Sequence, residues 1–366
     1  MTSTTHTRAL QTPILSFLLS LNLYIYRKTL LPLCSIRKKK KGAEEKTMLQ
    51  PYTQDQLDRY FRHIGYSPKD AEDDLGRLAT LQLHHMARVP FESLTLHYSK
   101  HHRLSLDLED LYEKIVDRGR GGYCMEVNAF FGAVLRSLGY TLINVGGRVK
   151  AGDGEYKGWN HMVNIVTINN TRYLVDVGFG SNGSVHPVPL EHNRIFTTVS
   201  PVRGKLEYKS LSQHTDQASQ RIWVYSTQEN QSAPWKEMYC FAADMEFFPT
   251  DFEVMNLSTM TSPQSFFVQT VMCMWLLLND DSHNDSDDED DKKERQPGPG
   301  PIGVLILHKD YVKRRIGGKS EIIEHFESEE QRVEALERYF GIVLTRKERE
   351  AIRGLPSELK TRCGHC

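Results

Sequence analysis

Arg120-Gly121-Gly122-Tyr123-Cys124-Met125-Glu126-Val127-Asn128 sets a thiol directly after two glycines. From Cys124 onward Val127, Phe130, Phe131, Val134, Leu135 and Leu138 recur at three- and four-residue spacing, which predicts a helix that opens at the cysteine. A thiol there faces unpaired backbone N–H groups and the positive end of the helix dipole, which favour thiolate over thiol. The two glycines take away side-chain bulk, so a substrate is expected to come close to the sulfur. Two later segments supply partners. Trp159-Asn160-His161-Met162-Val163 puts a histidine at the start of an alternating apolar strand, and Tyr173-Leu174-Val175-Asp176-Val177-Gly178-Phe179-Gly180 ends a second strand on an aspartate. Asn169-Asn170-Thr171 reads as the hairpin turn between them, so His161 and Asp176 are expected at one end of an antiparallel pair. Thiol beside imidazole, with the imidazole held by a carboxylate, is the arrangement nucleophilic catalysis uses.

Taken singly, each residue has a plainer explanation. A free cysteine is a small buried hydrophobe, a strand-start histidine packs at the sheet edge, and an aspartate before glycine forms turns. Their joint occurrence with the Gly-Gly-Tyr-Cys helix start is what favours chemistry. Arg120 and Glu126 are read as a buried ion pair bracing the Cys turn, where removal of one partner would cost about 3–5 kcal/mol.

These three segments resemble the arylamine N-acetyltransferases, which carry an Arg-Gly-Gly-x-Cys-x-Glu-x-Asn motif, a histidine opening a strand and an Asp-x-Gly-Phe-Gly turn. Arg120 to Asn128, His161, and Asp176 to Gly180 match them. Upstream, Pro90-Phe91-Glu92-Ser93 is similar to the family's Pro-Phe-Glu-Asn, with Ser93 for Asn; Ser93→Asn is therefore expected to stabilise the fold. Downstream, Arg332 to Ile342 resembles the family's last helix. The likeness runs from about Tyr52 to about Leu355.

The resemblance implies an α+β fold with a cysteine-protease-like core: an N-terminal helical bundle (48–139), a central β-barrel (140–239) and a C-terminal α/β lid (240–366). It implies a ping-pong acyl transfer, with acetyl-CoA or another acyl-CoA as co-substrate and an arylamine, hydrazine or N-hydroxyarylamine as acceptor, in xenobiotic metabolism. Cys124, His161 and Asp176 would be catalytic, Phe179 and Asn160 would bind substrate, and Gly158 would lie by the CoA arm. Lys157 is either a solvated loop lysine or a group that bears on the choice of acyl donor. Two other functions compete. A thiol hydrolase or transglutaminase-like enzyme shares the Cys…His…Asp order, although no Gln of the papain type lies between Leu83 and Tyr123. A silent homologue would bind CoA or an aromatic ligand without turnover.

Composition bounds the rest. The 366-residue chain is long enough for two or three lobes, and its formal net charge of −1 gives no reason to expect a nucleic-acid partner. Six cysteines, at 34, 124, 240, 273, 363 and 366, form no disulfide framework, which suits a reducing, cytoplasmic compartment. No metal is expected: the histidines lack ligand spacing, and Cys363-Gly364-His365-Cys366 is a lone C-x-x-C without a second half. Ile14 to Tyr26 is apolar but shorter than the ~18 residues of a spanning helix, and a cluster from Arg37 to Lys41 follows it rather than precedes it. Residues 1–47 are read as an extension before Met48: a gene-model artefact or, if translated, disorder or a weak membrane-surface helix. Asp280 to Asp291 holds eight acidic residues and Pro297 to Pro301 alternates Pro and Gly. The segment 279–301 therefore reads as a disordered insert in a hairpin formed by the apolar runs Phe266–Leu278 and Ile302–Leu307.

Overall fold

The structure, a computed structural model, describes residues 51–68, 73–279 and 300–360. The extension 1–47, the acidic body of the insert (280–299) and the C-x-x-C at Cys363 lie outside the described residues.

Helix α1 (Gln54–Ile64) starts where Thr53 and Gln56 cap each other, and ends at Gly65 in the left-handed region. It buries Leu57, Tyr60, Phe61 and Ile64, an apolar stripe at three- and four-residue spacing. Helix α2 (Asp74–Arg88) begins after the Asp73 cap. Next come strand β1 (Phe91–Glu92), helices α3 (Thr95–Tyr98) and α4 (Leu108–Tyr112), one π turn (Glu113–Asp117) and helix α5 (Cys124–Ser137). α5 is apolar on nearly every side, and Phe130 and Phe131 lock it into the main core with α1 and α2.

Eight strands follow as one antiparallel sheet, curved into a nearly closed barrel. They are β2 (Thr141–Val149), β3 (His161–Ile168), β4 (Thr171–Val175), β5 (Val188–Pro189), β6 (Arg194–Thr197), β7 (Arg203–Lys209), β8 (Ile222–Gln228) and β9 (Lys236–Phe241), in spatial order β5-β4-β3-β2-β9-β8-β7-β6. β3 and β4 pair with Ile168 opposite Thr171, so the turn is Asn169-Asn170 alone, with φ of 48° and 63°. Two consecutive positive φ angles define the tight turn whose twist matches that of the flanking strands, and asparagine tolerates them.

The last part holds α6 (Pro249–Thr261), α7 (Phe266–Gln269), β10 (Met272–Leu278), β11 (Pro301–His308), β12 (Tyr311–Ile316), β13 (Lys319–His325), α8 (Glu329–Phe340) and α9 (Arg346–Ala351). Its sheet runs β1-β10-β11-β12-β13, and β10 pairs with β11 across the insert as expected.

Three expectations need correction. The run from Phe266 is not one strand: it makes a short helix, α7, and turns into β10 only at Met272. A continuous apolar run carries no period that separates helix from strand. The boundaries at 139 and 239 are also softer than expected, since β1 carries Phe91–Glu92 into the second sheet and β9 runs on to Phe241.

Ser93 is the third. It is buried, its Oγ donates to Thr270 O at 2.9 Å and accepts from Met272 N at 3.2 Å. The turn thus depends on a small hydroxyl, and an asparagine would overpack it by roughly 1–3 kcal/mol. Ser93→Asn is now expected to lower the melting temperature; a rise on thermal unfolding would show that the pocket has room.

Candidate active site

Cys124 is the first residue of α5, and its position is fixed by the chain on either side. Glu126 turns back to accept from Tyr123 N at 3.1 Å, closing the first turn of the helix. The Gly121-Gly122 pair is threaded against β1: Gly122 N donates to Pro90 O at 3.2 Å and Glu92 N donates to Gly122 O at 3.0 Å. A Cβ on Gly121 would sit 1.7 Å from the Pro90 carbonyl oxygen. Gly121 therefore makes room for the Pro90 backbone and Gly122 for the capping Glu126 side chain, rather than for substrate as expected.

The expected Arg120–Glu126 pair is not formed. Glu126 Oε1 meets Lys114 Nζ at 2.6 Å, while Arg120 faces Glu92 at 3.8 Å and Glu348 at 3.4 Å. Glu92 is also 3.7 Å from Lys114 and accepts from Gly121 N and Leu94 N. The cause is the cap: Glu126 points back along its own helix toward the π turn that carries Lys114. Burial raises the Glu126 pKa against the pull of Lys114, whereas for Glu92 the lowering by Lys114 and Arg120 outweighs its burial.

His161 opens β3, and Asp176 follows the end of β4, so the hairpin register brings them together: His161 Nε2 lies 2.8 Å from Asp176 Oδ2. The Cys124 side chain lies beside the same imidazole and contributes to raising its pKa. The three are 3%, 1% and 1% exposed in the order Cys124, His161, Asp176. Burial disfavours the imidazolium, but the Asp176 charge and hydrogen bond, with Cys124, raise the His161 pKa to about 10. Asp176 is held below its ordinary value: burial opposes ionisation, and His161, Asn128 and Gly178 N outweigh it. Gly178 is needed for a close approach, because a Cβ there would lie 2.7 Å from Cys124 Cα.

This pair has a pH signature. His161 has a folded pKa raised above 6.5, so its contribution to stability is full below pH 6.5 and is lost as pH rises toward about 10. Asp176, lowered from 3.8, contributes above that value and is lost as pH falls through its folded pKa. In urea unfolding, the stability difference between wild type and His161→Gln should shrink steadily from pH 6.5 to pH 9.5. A difference that stays constant would contradict this assignment.

The thiol and imidazole lie at the base of an open cleft of about 780 Å³. Phe91, Phe179, Phe267, Met272 and Met274 give it an apolar wall, and Ser258, Thr259, Ser262 and Ser265 line it from α6 and the segment after it. Phe179 stands edge-on to His161 at 5.2 Å and 4.5 Å from Tyr239. Gly158 is an exposed part of the wall, with no atom within 4 Å of where a Cβ would be. Asn160 also lines it, but its Oδ1 accepts from Val149 N at 2.9 Å, and it is its backbone oxygen that faces Cys124 Sγ, at 3.7 Å.

Three supporting residues were not singled out from the sequence. Asn128 donates to Asp176 Oδ1 at 2.9 Å and accepts from Val177 N at 3.0 Å. Its signal was present: a polar residue one turn after Cys124, on the same face of an otherwise apolar helix. Tyr239, buried beneath His161 at 4.8 Å and hydrogen-bonded to Asp176, gave none, because β9 lies far along the chain. Gln82 is upstream of the cysteine, but its amide reaches the backbone oxygens of Ser184 and Asp176. It braces the aspartate turn from behind.

The fold is the cysteine-protease-like α+β fold. A family model described as N-acetyltransferase matches residues 74–284, more than half of the chain. The chain is 36% identical over 298 residues to the N-malonyltransferase FDB2 of Gibberella moniliformis, covering 77% of this chain and 81% of that one. It is 29% identical over 225 residues to arylamine N-acetyltransferase 2 of Macaca mulatta, covering 59% and 76%. Its structure is similar to that of the Mycobacterium marinum arylamine N-acetyltransferase in complex with CoA, with a TM-score of 0.64, 26% identity, and coverage of 81% and 97%. The chain belongs to the arylamine N-acetyltransferase family and is an acyltransferase. Among the described residues no helix is long and apolar enough to cross a membrane.

Proposed function

We propose that this protein transfers a short acyl group, malonyl or acetyl, from CoA to an arylamine, hydrazine or N-hydroxyarylamine through a thioester on Cys124. The Cys124 thiolate attacks the acyl-CoA carbonyl, the CoA thiolate leaves with the His161 proton, and free CoA departs. The amine then attacks the Cys124 thioester and gives a proton to His161, which restores the thiolate–imidazolium pair. Asp176 keeps Nε2 protonated and stabilises the cation. An aromatic acceptor would rest against Phe179, and Gly158 would leave space for the CoA arm.

The observation that carries this proposal is the imidazole itself, held by Asp176 at 2.8 Å and lining the same cleft as the Cys124 thiol. The N-malonyltransferase and the CoA-bound relative support a malonyl or acetyl donor carried on CoA. In this account the helical lobe supplies the nucleophile, the barrel its base and orienter, and 240–366 the lid. The buried free thiols Cys124, Cys240 and Cys273 support a reducing, cytoplasmic site of action. Initial rates with both substrates varied should give parallel double-reciprocal lines; lines that intersect would mean a ternary complex and no acyl-enzyme.

A further inference from the structure

Among the described residues that line the cleft, His161 aside, Lys157 carries the only charged side chain; no Asp, Glu or Arg shares the wall. Its backbone is fixed at the barrel rim. Lys157 N donates to Val149 O at 3.2 Å, and its carbonyl accepts from Arg148 Nη1 at 3.1 Å. Arg148 is itself stacked on the cleft residue Trp159 at 4.0 Å. The ammonium, in contrast, is held by Asp153 at 2.5 Å, with the two side chains 47% and 56% exposed. Exposed pairs of this kind contribute little, so the ammonium can leave Asp153 for another anion at small cost. Lys157 stands three residues before Asn160, whose carbonyl faces the sulfur, so the two Cα atoms are at most about 11 Å apart. A four-carbon stem brings a flexible point charge from there into the cleft.

A cleft without carboxylates and with one movable cation on a fixed base is biased toward anions. We propose that Lys157 is a donor-binding residue that pairs with an oxyanion of the acyl-CoA, either the terminal carboxylate of a malonyl group or a phosphate of CoA. This rests on the acyl-CoA function proposed above.

The test is single-turnover acylation of Cys124 by malonyl-CoA and by acetyl-CoA in the wild type, Lys157→Met and Lys157→Arg. Loss of a charge contact should lower the second-order acylation rate of Lys157→Met about tenfold, and the retained charge of Lys157→Arg should recover most of it. A loss confined to malonyl-CoA places the contact on the acyl carboxylate. An equal loss with both donors, recovered by arginine, places it on a CoA phosphate. Unchanged rates with both donors overturn the proposal, as does a loss that arginine does not recover and that comes with a lowered melting temperature. A wild type acylated by neither donor would overturn the acyl-CoA function itself, and this proposal with it.

Discussion

Asp176→Asn is expected to lower the acylation rate of Cys124 by roughly 10⁴-fold, the scale set by the same change in a serine-protease triad. The reason is in the hydrogen bonds. Asp176 Oδ1 receives two donors, Asn128 Nδ2 at 2.9 Å and Gly178 N at 2.8 Å, so the oxygen of an asparagine side chain must stay on that side. Its NH₂ group would then face His161 Nε2, at the place where the carboxylate now accepts at 2.8 Å. A donor there needs a lone pair on Nε2, which moves the ring proton to Nδ1, toward the sulfur. The imidazole could then no longer take a proton from the thiol or the amine. The shape of the site is kept, so circular dichroism should be unchanged while single-turnover acylation collapses. A loss below tenfold would show that Asp176 is only a structural group.

Lys114→Ala should cost about 3–5 kcal/mol of stability, the usual penalty for leaving a buried charge without its partner. Lys114 serves two buried carboxylates, Glu126 at 2.6 Å and Glu92 at 3.7 Å, and without it only Arg120, at 3.8 Å from Glu92, remains close to them. Both carboxylates are fully buried behind the Cys124 turn. Lys114→Met combined with Glu126→Gln removes charge from both partners and should recover most of the loss. Urea unfolding measures the stabilities, and acylation of the folded fraction separates stability from chemistry. Activity should fall only as far as the folded population does. Full stability in Lys114→Ala would mean that water or Arg120 already neutralises the cluster.

The site was legible in the sequence where local rules determine geometry. A helix opening at Cys124, a two-asparagine turn and an aspartate at a strand end together place three side chains, because a hairpin register follows from its turn. α1 is encoded locally in the same way, by the Thr53–Gln56 cap and the stripe of Leu57, Tyr60, Phe61 and Ile64. What could not be read was who pairs with whom across the chain. Arg120 and Glu126 are close in sequence and of opposite sign, yet the capping direction of Glu126 sends it to Lys114. Ser93 was a departure from a pattern, and only its contacts with Thr270 and Met272 show it to be a fitted hydroxyl. Tyr239 and Gln82 reach Asp176 from distant elements, and no local spacing announces them. The α7–β10 bend was hidden because Phe266 to Leu278 contains too few polar positions to show a period.

The central claim is that Cys124 carries the acyl group. Intact-protein mass spectrometry after brief mixing with malonyl-CoA or acetyl-CoA tests it most directly. The mass should rise by one acyl group, the gain should vanish when an arylamine is added, and Cys124→Ala should show no gain. Folded wild-type protein that gains no mass with either donor, or an adduct that persists in Cys124→Ala, would contradict the mechanism.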